Sequence, residues 1–119
     1  MMLFLMATAL FGCTSAEGTW AGTCEGSGYT VDSTLDITDD KGGDLTGTFS
    51  VTNSGMTLTG DATGTRDHTT IDLDIDVTNS GYTIPTTFSG EMTGNDLAGD
   101  WVIAYGGSSQ SYACTFARE

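Results

Sequence analysis

From Gly18 onward, apolar and polar residues alternate in short runs broken by Gly, Asn and Asp, with none of the three-to-four spacing of an amphipathic helix. The clearest run sets Ile71, Leu73, Ile75 and Val77 on one side and Asp72, Asp74 and Asp76 on the other. Seven more can be laid beside it. Trp20, Gly22 and Cys24 share a face in a first strand, Val31, Leu35 and Ile37 in a second, and Leu45, Gly47, Phe49 and Val51 in a third. Met56 and Leu58 mark a fourth and Tyr82, Ile84 and Phe88 a sixth; Leu97, Trp101, Ile103 and Tyr105 mark a seventh, and Tyr112, Cys114 and Phe116 an eighth. One apolar face and one Thr/Asp face describe antiparallel sheet with its outside in water. A membrane-spanning barrel would turn its apolar residues outward, which this pattern excludes.

The turns fix the order of the strands. Val51-Thr52-Asn53-Ser54-Gly55-Met56-Thr57-Leu58 recurs as Val77-Thr78-Asn79-Ser80-Gly81-Tyr82-Thr83-Ile84. Asn-Ser-Gly puts Gly where a three-residue hairpin needs a left-handed residue, so the same hairpin is expected twice. Connections this short join neighbours. The expected fold is all-β: eight antiparallel strands in an up-and-down meander.

At 119 residues there is room for one domain. The net charge of -13, with only Lys41, Arg66 and Arg118 positive, argues against nucleic acid and anionic lipid surfaces as partners. Basic proteins and cations stay electrostatically plausible, beside the plainer role of an acidic surface in keeping a Thr/Gly-rich chain soluble.

Residues 1–12 form an apolar run too short to span a bilayer, ending Leu10-Phe11-Gly12-Cys13. Leu, a small residue and then Cys resemble the bacterial lipobox. The resemblance implies a signal peptide over 1–12, acylation of Cys13, a lipidated tether over 13–17 and a barrel domain over 18–119. The protein would then sit in the bacterial cell envelope, held to the membrane by its N-terminal lipid. Thr14 stands where enteric lipoproteins of the inner membrane carry Asp, which makes the outer membrane the expected address. With Cys13 lipidated, Cys24 and Cys114 remain as an even pair in an oxidising compartment. Both fall on the inward face, in the first and last strands, so a bridge between them requires those strands to be neighbours and closes the sheet. Pro85, mid-strand, cannot donate to a ladder and argues against closure, which a bulge there would reconcile.

Laid out in this way, the chain resembles the avidin and streptavidin family over nearly all of residues 18–119. Gly18-Thr19-Trp20, Leu45-Thr46-Gly47-Thr48-Phe49 and Thr86-Thr87-Phe88-Ser89-Gly90 are similar to three of its motifs, and Trp101 falls where a later Trp lines its pocket. The implied architecture is an avidin-like or calycin-like barrel. The biotin-binding groups are mostly absent. Gly22 and Gly26 stand where the family has Asn and Ser, Phe49 and Val51 where it has Tyr and Ser, and Cys114 where it has Asp. A buried urea without its polar partners loses several kcal/mol, so biotin is not the expected ligand. Trp20, Thr86, Trp101 and Tyr105 are the candidate ligand-contacting residues, over a plugged interior.

No enzyme is expected, and neither a cofactor nor a metal. The lone His68 lies in a turn, and no nucleophile elbow, His-based metal spacing or phosphate loop is present. Asp72, Asp74 and Asp76 stand about 7 Å apart along one face, too far for one compact Ca²⁺ shell. Two functions remain: a non-enzymatic binding module for a small molecule or partner, or an inhibitor of a basic hydrolase, lysozyme or protease, if not a purely structural surface lipoprotein. A roomy, partly polar interior would favour the first and a filled one the second. On the outside, apolar residues concentrate on strands seven and eight, at Ala98, Val102, Ala104, Ala113 and Ala117. That face is the expected seat of a weak homo-oligomer or of the tether Thr14–Glu17.

Overall fold

In the computed structural model, which describes residues 15–53, 55–79 and 81–119, the eight runs become β1 (Gly18–Gly26), β2 (Tyr29–Asp39), β3 (Asp44–Asn53), β4 (Met56–Asp67), β5 (Thr70–Asn79), β6 (Tyr82–Thr93), β7 (Asp96–Tyr105) and β8 (Ser108–Arg118). Each strand pairs antiparallel with the next, and β8 returns to β1 to close the barrel. The period of two is borne out most cleanly in β5, where Ile71, Leu73, Ile75 and Val77 are buried and the aspartates between them exposed. The Cys24–Cys114 bridge is present. It joins direct cross-strand partners of the β1–β8 ladder.

Inward-facing glycines let the sheet coil tightly enough to close. A Cβ on Gly22 would overlap the Thr115 carbonyl oxygen, and one on Gly64 the Asp72 carbonyl oxygen. This is also why β4 is longer than its hydropathy suggests. The alternation fades after Leu58, yet Gly60, Ala62 and Gly64 continue the inward face as far as Asp67.

Six of the seven connections are two-residue loops; the longer one, residues 40–43, joins β2 to β3. The repeated hairpin is thus shorter than expected: Asn53 pairs with Met56 and Asn79 with Tyr82, so two residues turn the chain, not three. Gly55 and Gly81 do take the left-handed conformation, with φ of 83° and 87°. No bulge forms at Pro85. The β5–β6 register runs through it unbroken, and the β6–β7 ladder starts at Thr86↔Ile103, one residue past it.

Candidate functional site

The two ends of the barrel differ in chemistry. At one end lie the 40–43 loop, the β4–β5 and β6–β7 turns, and Ser15–Glu17. Asp39, inward-facing and buried, accepts from the Arg66 Nε–H at 2.6 Å and from the backbone N–H of Ala16 and Lys41, each at 2.8 Å. Burial alone would raise the Asp39 carboxyl. The Arg66 guanidinium and the two N–H groups outweigh that and hold it below the ordinary carboxylate value. Arg118 lies 4.4 Å from the Trp20 ring centroid and donates to the carbonyls of Ser15, Glu17 and Gly94. Trp20 in turn donates its indole N–H to the Ala16 carbonyl at 2.9 Å. Ser15–Glu17, expected to be tether, is therefore built into the closed end, with Ala16 fully buried. It does not seat on the outer face of β7 and β8. Cys13 and Thr14 lie outside the described residues.

Aromatic side chains pack across the interior. Phe49 and Trp101 meet edge to face with centroids 4.9 Å apart, and Phe88 meets Phe116 at 5.9 Å. Thr86 is buried beside them. Its hydroxyl donates to the Ile75 carbonyl and accepts from the Trp101 indole N–H, both at 2.8 Å. Among the described residues every buried side-chain nitrogen and oxygen has a partner.

At the other, open end the strands of four hairpins run on past the ladders that join each hairpin to the next, which end at Glu25↔Ala113, Asp32↔Thr52, Thr59↔Thr78 and Thr86↔Ile103. Tyr29, Met56 and Tyr82, each the first residue after a tip, are 62%, 63% and 72% exposed. By parity all three continue the inward face, so they stand as a rim above the packed core. Met56 and Tyr82 keep the face that alternation gives them but stand above the packing, because parity gives a residue's face and not its depth along the axis. Below the rim, Ile84, Ile103, Ser108 and Gln110 line a cleft of about 340 Å³ between β6 and the β7–β8 hairpin.

Of the four residues expected to contact a ligand, the barrel brings Trp101 and Thr86 together, but as one buried hydrogen-bonded pair. Trp20 is at the opposite, closed end. Tyr105 ends β7 at the open end, and its side chain lies outside what is described. Met56, Tyr82, Ile84 and Ile103 were visible in the sequence as apolar strand positions, whereas Tyr29 and the polar Ser108 and Gln110 carried no signal that set them apart. On the outer face, Ala98, Ala104, Ala113 and Ala117 are exposed and Val102 half-buried, with Glu91 opposite Ala98 and both Asp100 and Glu25 opposite Ala113.

No family model and no curated protein matches the chain. Solved structures similar to it include a redesigned β-barrel, b11L5F_LGL, at 19% identity and TM-score 0.73, covering 87% of this chain and 90% of that one. Another is EF1p2_mFAP2b bound to DFHBI, at 18% identity and TM-score 0.74, covering 87% and 93%. Both share the barrel fold.

Proposed function

We propose that the chain is an exported, lipid-anchored, non-enzymatic binding module that works through the open end of its barrel. The observation that carries this is the polarity of the molecule: an apolar rim at one end, and at the other a polar network that grips the N-terminal segment. Leu10-Phe11-Gly12-Cys13 supports acylation at Cys13, in the outer membrane of a bacterial envelope. Only Thr14 would then separate the lipid-bearing residue from the packed Ser15, a span of at most about 7 Å. The closed end rests against the membrane and the rim faces away from it. Asp39 is held inward at the closed end and the aspartates of β5 point outward, and the lone His68 holds a left-handed turn position at the closed end, so among the described residues no acid–base pair faces the mouth.

The test has two parts. Metabolic labelling with palmitate should mark the wild type and not Cys13→Ser. A photoreactive side chain placed at Tyr82 should then cross-link envelope components that the same group placed at Thr70, at the closed end, does not reach. An unlabelled wild type would remove the anchor, and equal cross-linking from both positions would remove the role of the open end.

A second reading, inhibition of a basic hydrolase, is favoured by the aromatic packing of the interior and by the outward row Asp72, Asp74 and Asp76, to which Asp61 adds a carboxylate opposite Asp76. It requires association with a basic lysozyme or protease at low salt that high salt abolishes.

A further inference from the structure

The cleft at the open end has a cause in the sequence. Along β5 the Ile75 carbonyl faces β6, where it takes the Thr86 hydroxyl, so the next pair, Asp76 and Pro85, turns its backbone groups toward the flanking strands. The nitrogen of Pro85 thus lies on the β7 side and has no hydrogen to give. The β6–β7 ladder stops at Thr86↔Ile103, while β5–β6 continues to Asn79↔Tyr82 and β7–β8 to Tyr105↔Ser108. Two hairpins therefore fork apart above Thr86, and the inward faces of Ile84, Ile103, Ser108 and Gln110 line the fork.

The rim above it is not a by-product of turn chemistry. Two-residue turns occur at both ends of the barrel, but the residue that follows them is Tyr29, Met56, Tyr82 or Ser108 at the open end and Thr70 or Asp96 at the closed end. At this position large, exposed apolar side chains fall at the open end only, at Tyr29, Met56 and Tyr82. Charge is divided in the same way. Lys41, Arg66, Arg118 and His68 all belong to the closed end, so an anion at the mouth would meet the field of a chain of charge -13 with no counter-charge beside it.

We propose that this fork is a binding site for an uncharged, largely apolar small molecule, seated between Ile84 and Ile103 and oriented by one hydrogen-bonding group on Gln110 or Ser108. The proposal rests on the open-end reading above and deepens it. The cleft volume of about 340 Å³ falls within the range of small-molecule sites. A second copy docked mouth to mouth fits less well. The barrel's 26 by 20 Å cross-section offers roughly 400 Å², about half of what each partner of a standard interface buries.

The experiment uses the segment Ser15–Glu119, which forms the closed barrel with its own core, and the neutral, flat dye Nile red. Wild type should bind the dye saturably, one per chain, with a blue-shifted emission. Ser108→Trp, which fills the cleft from an exposed position, should weaken binding at least tenfold with the thermal midpoint unchanged; Ile103→Asp should also weaken binding at least tenfold, with a lowered thermal midpoint because Ile103 packs against the core. The anionic dye anilinonaphthalene sulfonate should bind at least tenfold more weakly than Nile red at low salt. Failure of the wild type to bind, wild-type affinity in Ser108→Trp, or a dye-bound species that sediments as a dimer would each overturn the proposal. Palmitate labelling and cross-linking from position 82 are read independently. A barrel that passes those and fails here keeps its anchored binding role and loses this ligand class.

Discussion

Cys24 and Cys114 face each other across the seam where the first and last strands meet, with their Cα atoms 3.9 Å apart and 90 residues of chain between them. Every other strand pair is joined by a short connection, but β1 and β8 are neighbours only because the barrel has closed. The bridge holds that one long-range pairing in the unfolded chain as well. On the chain-entropy account it contributes about 4–5 kcal/mol. Reduction, or the double change Cys24→Ala with Cys114→Ala, should lower the unfolding free energy by about that amount in urea titrations. A loss under about 1 kcal/mol would show that the seam is held by its ladder and core alone.

The seam was legible in the sequence because parity and position both mark it: two cysteines, inward-facing, in the outermost strands. The aspartate-flanked alternation of β5 was legible for the same reason, since Ile and Asp contrast so strongly. Gly60, Ala62 and Gly64 carry almost no hydropathy signal, so the second half of β4 stayed hidden although its backbone pairs fully with β3 and β5. The closed-end cluster was illegible in a different way. Asp39 and Arg66 are 27 residues apart, and only the stagger of neighbouring strands puts one carboxylate within reach of both Arg66 and Ala16. The depth of the rim was not legible, because alternation does not say where along a strand the packing stops.

Asp39 should make the closed end sensitive to acid. Its carboxyl is held below the ordinary value in the fold, by Arg66 and the N–H groups of Ala16 and Lys41 acting against the burial penalty. A group lowered in this sense adds stability that is fully present above its unfolded value, near 3.9, and is lost as pH falls from there through the lowered folded value. Asp39→Asn, which leaves Arg66 without its charge partner, should cost about 3 kcal/mol near neutral pH. The gap between wild type and variant should close only below about pH 4. A gap that is constant down to pH 2, in unfolding free energies measured across that range, would contradict the assignment.

The Trp101–Thr86–Ile75 chain gives a test of the core that leaves the rim untouched. Thr86→Val keeps the shape but strands the indole N–H in a dry interior, at a cost of about 1–3 kcal/mol. Thr86→Ser keeps the hydroxyl and gives up a single methyl, worth about 0.8 kcal/mol. Denaturation should rank wild type above Ser and Ser above Val. If the Ser and Val variants were equally stable, the hydroxyl would hold nothing in place.

The outer face of β7 and β8 bears on whether the barrels meet side to side. Ala98, Ala104, Ala113 and Ala117 are exposed around the half-buried Val102, and Ala21 of β1 sits opposite Ala117, extending the run of small side chains across the seam. Small residues let two sheets approach closely, but Glu25, Glu91 and Asp100 lie directly across from members of the patch and would repel their counterparts on a second copy. The two effects have opposite salt dependence, since screening weakens the repulsion and leaves the apolar contact intact. We therefore expect the barrel to sediment as a monomer at low salt and to self-associate weakly at high salt and high concentration. Val102→Lys, which places a solvated charge at the centre of the patch, should keep it monomeric under all conditions without changing its thermal midpoint. Wild-type protein that remains monomeric at high salt, or a Val102→Lys variant that associates as the wild type does, would remove this face as an interface between copies.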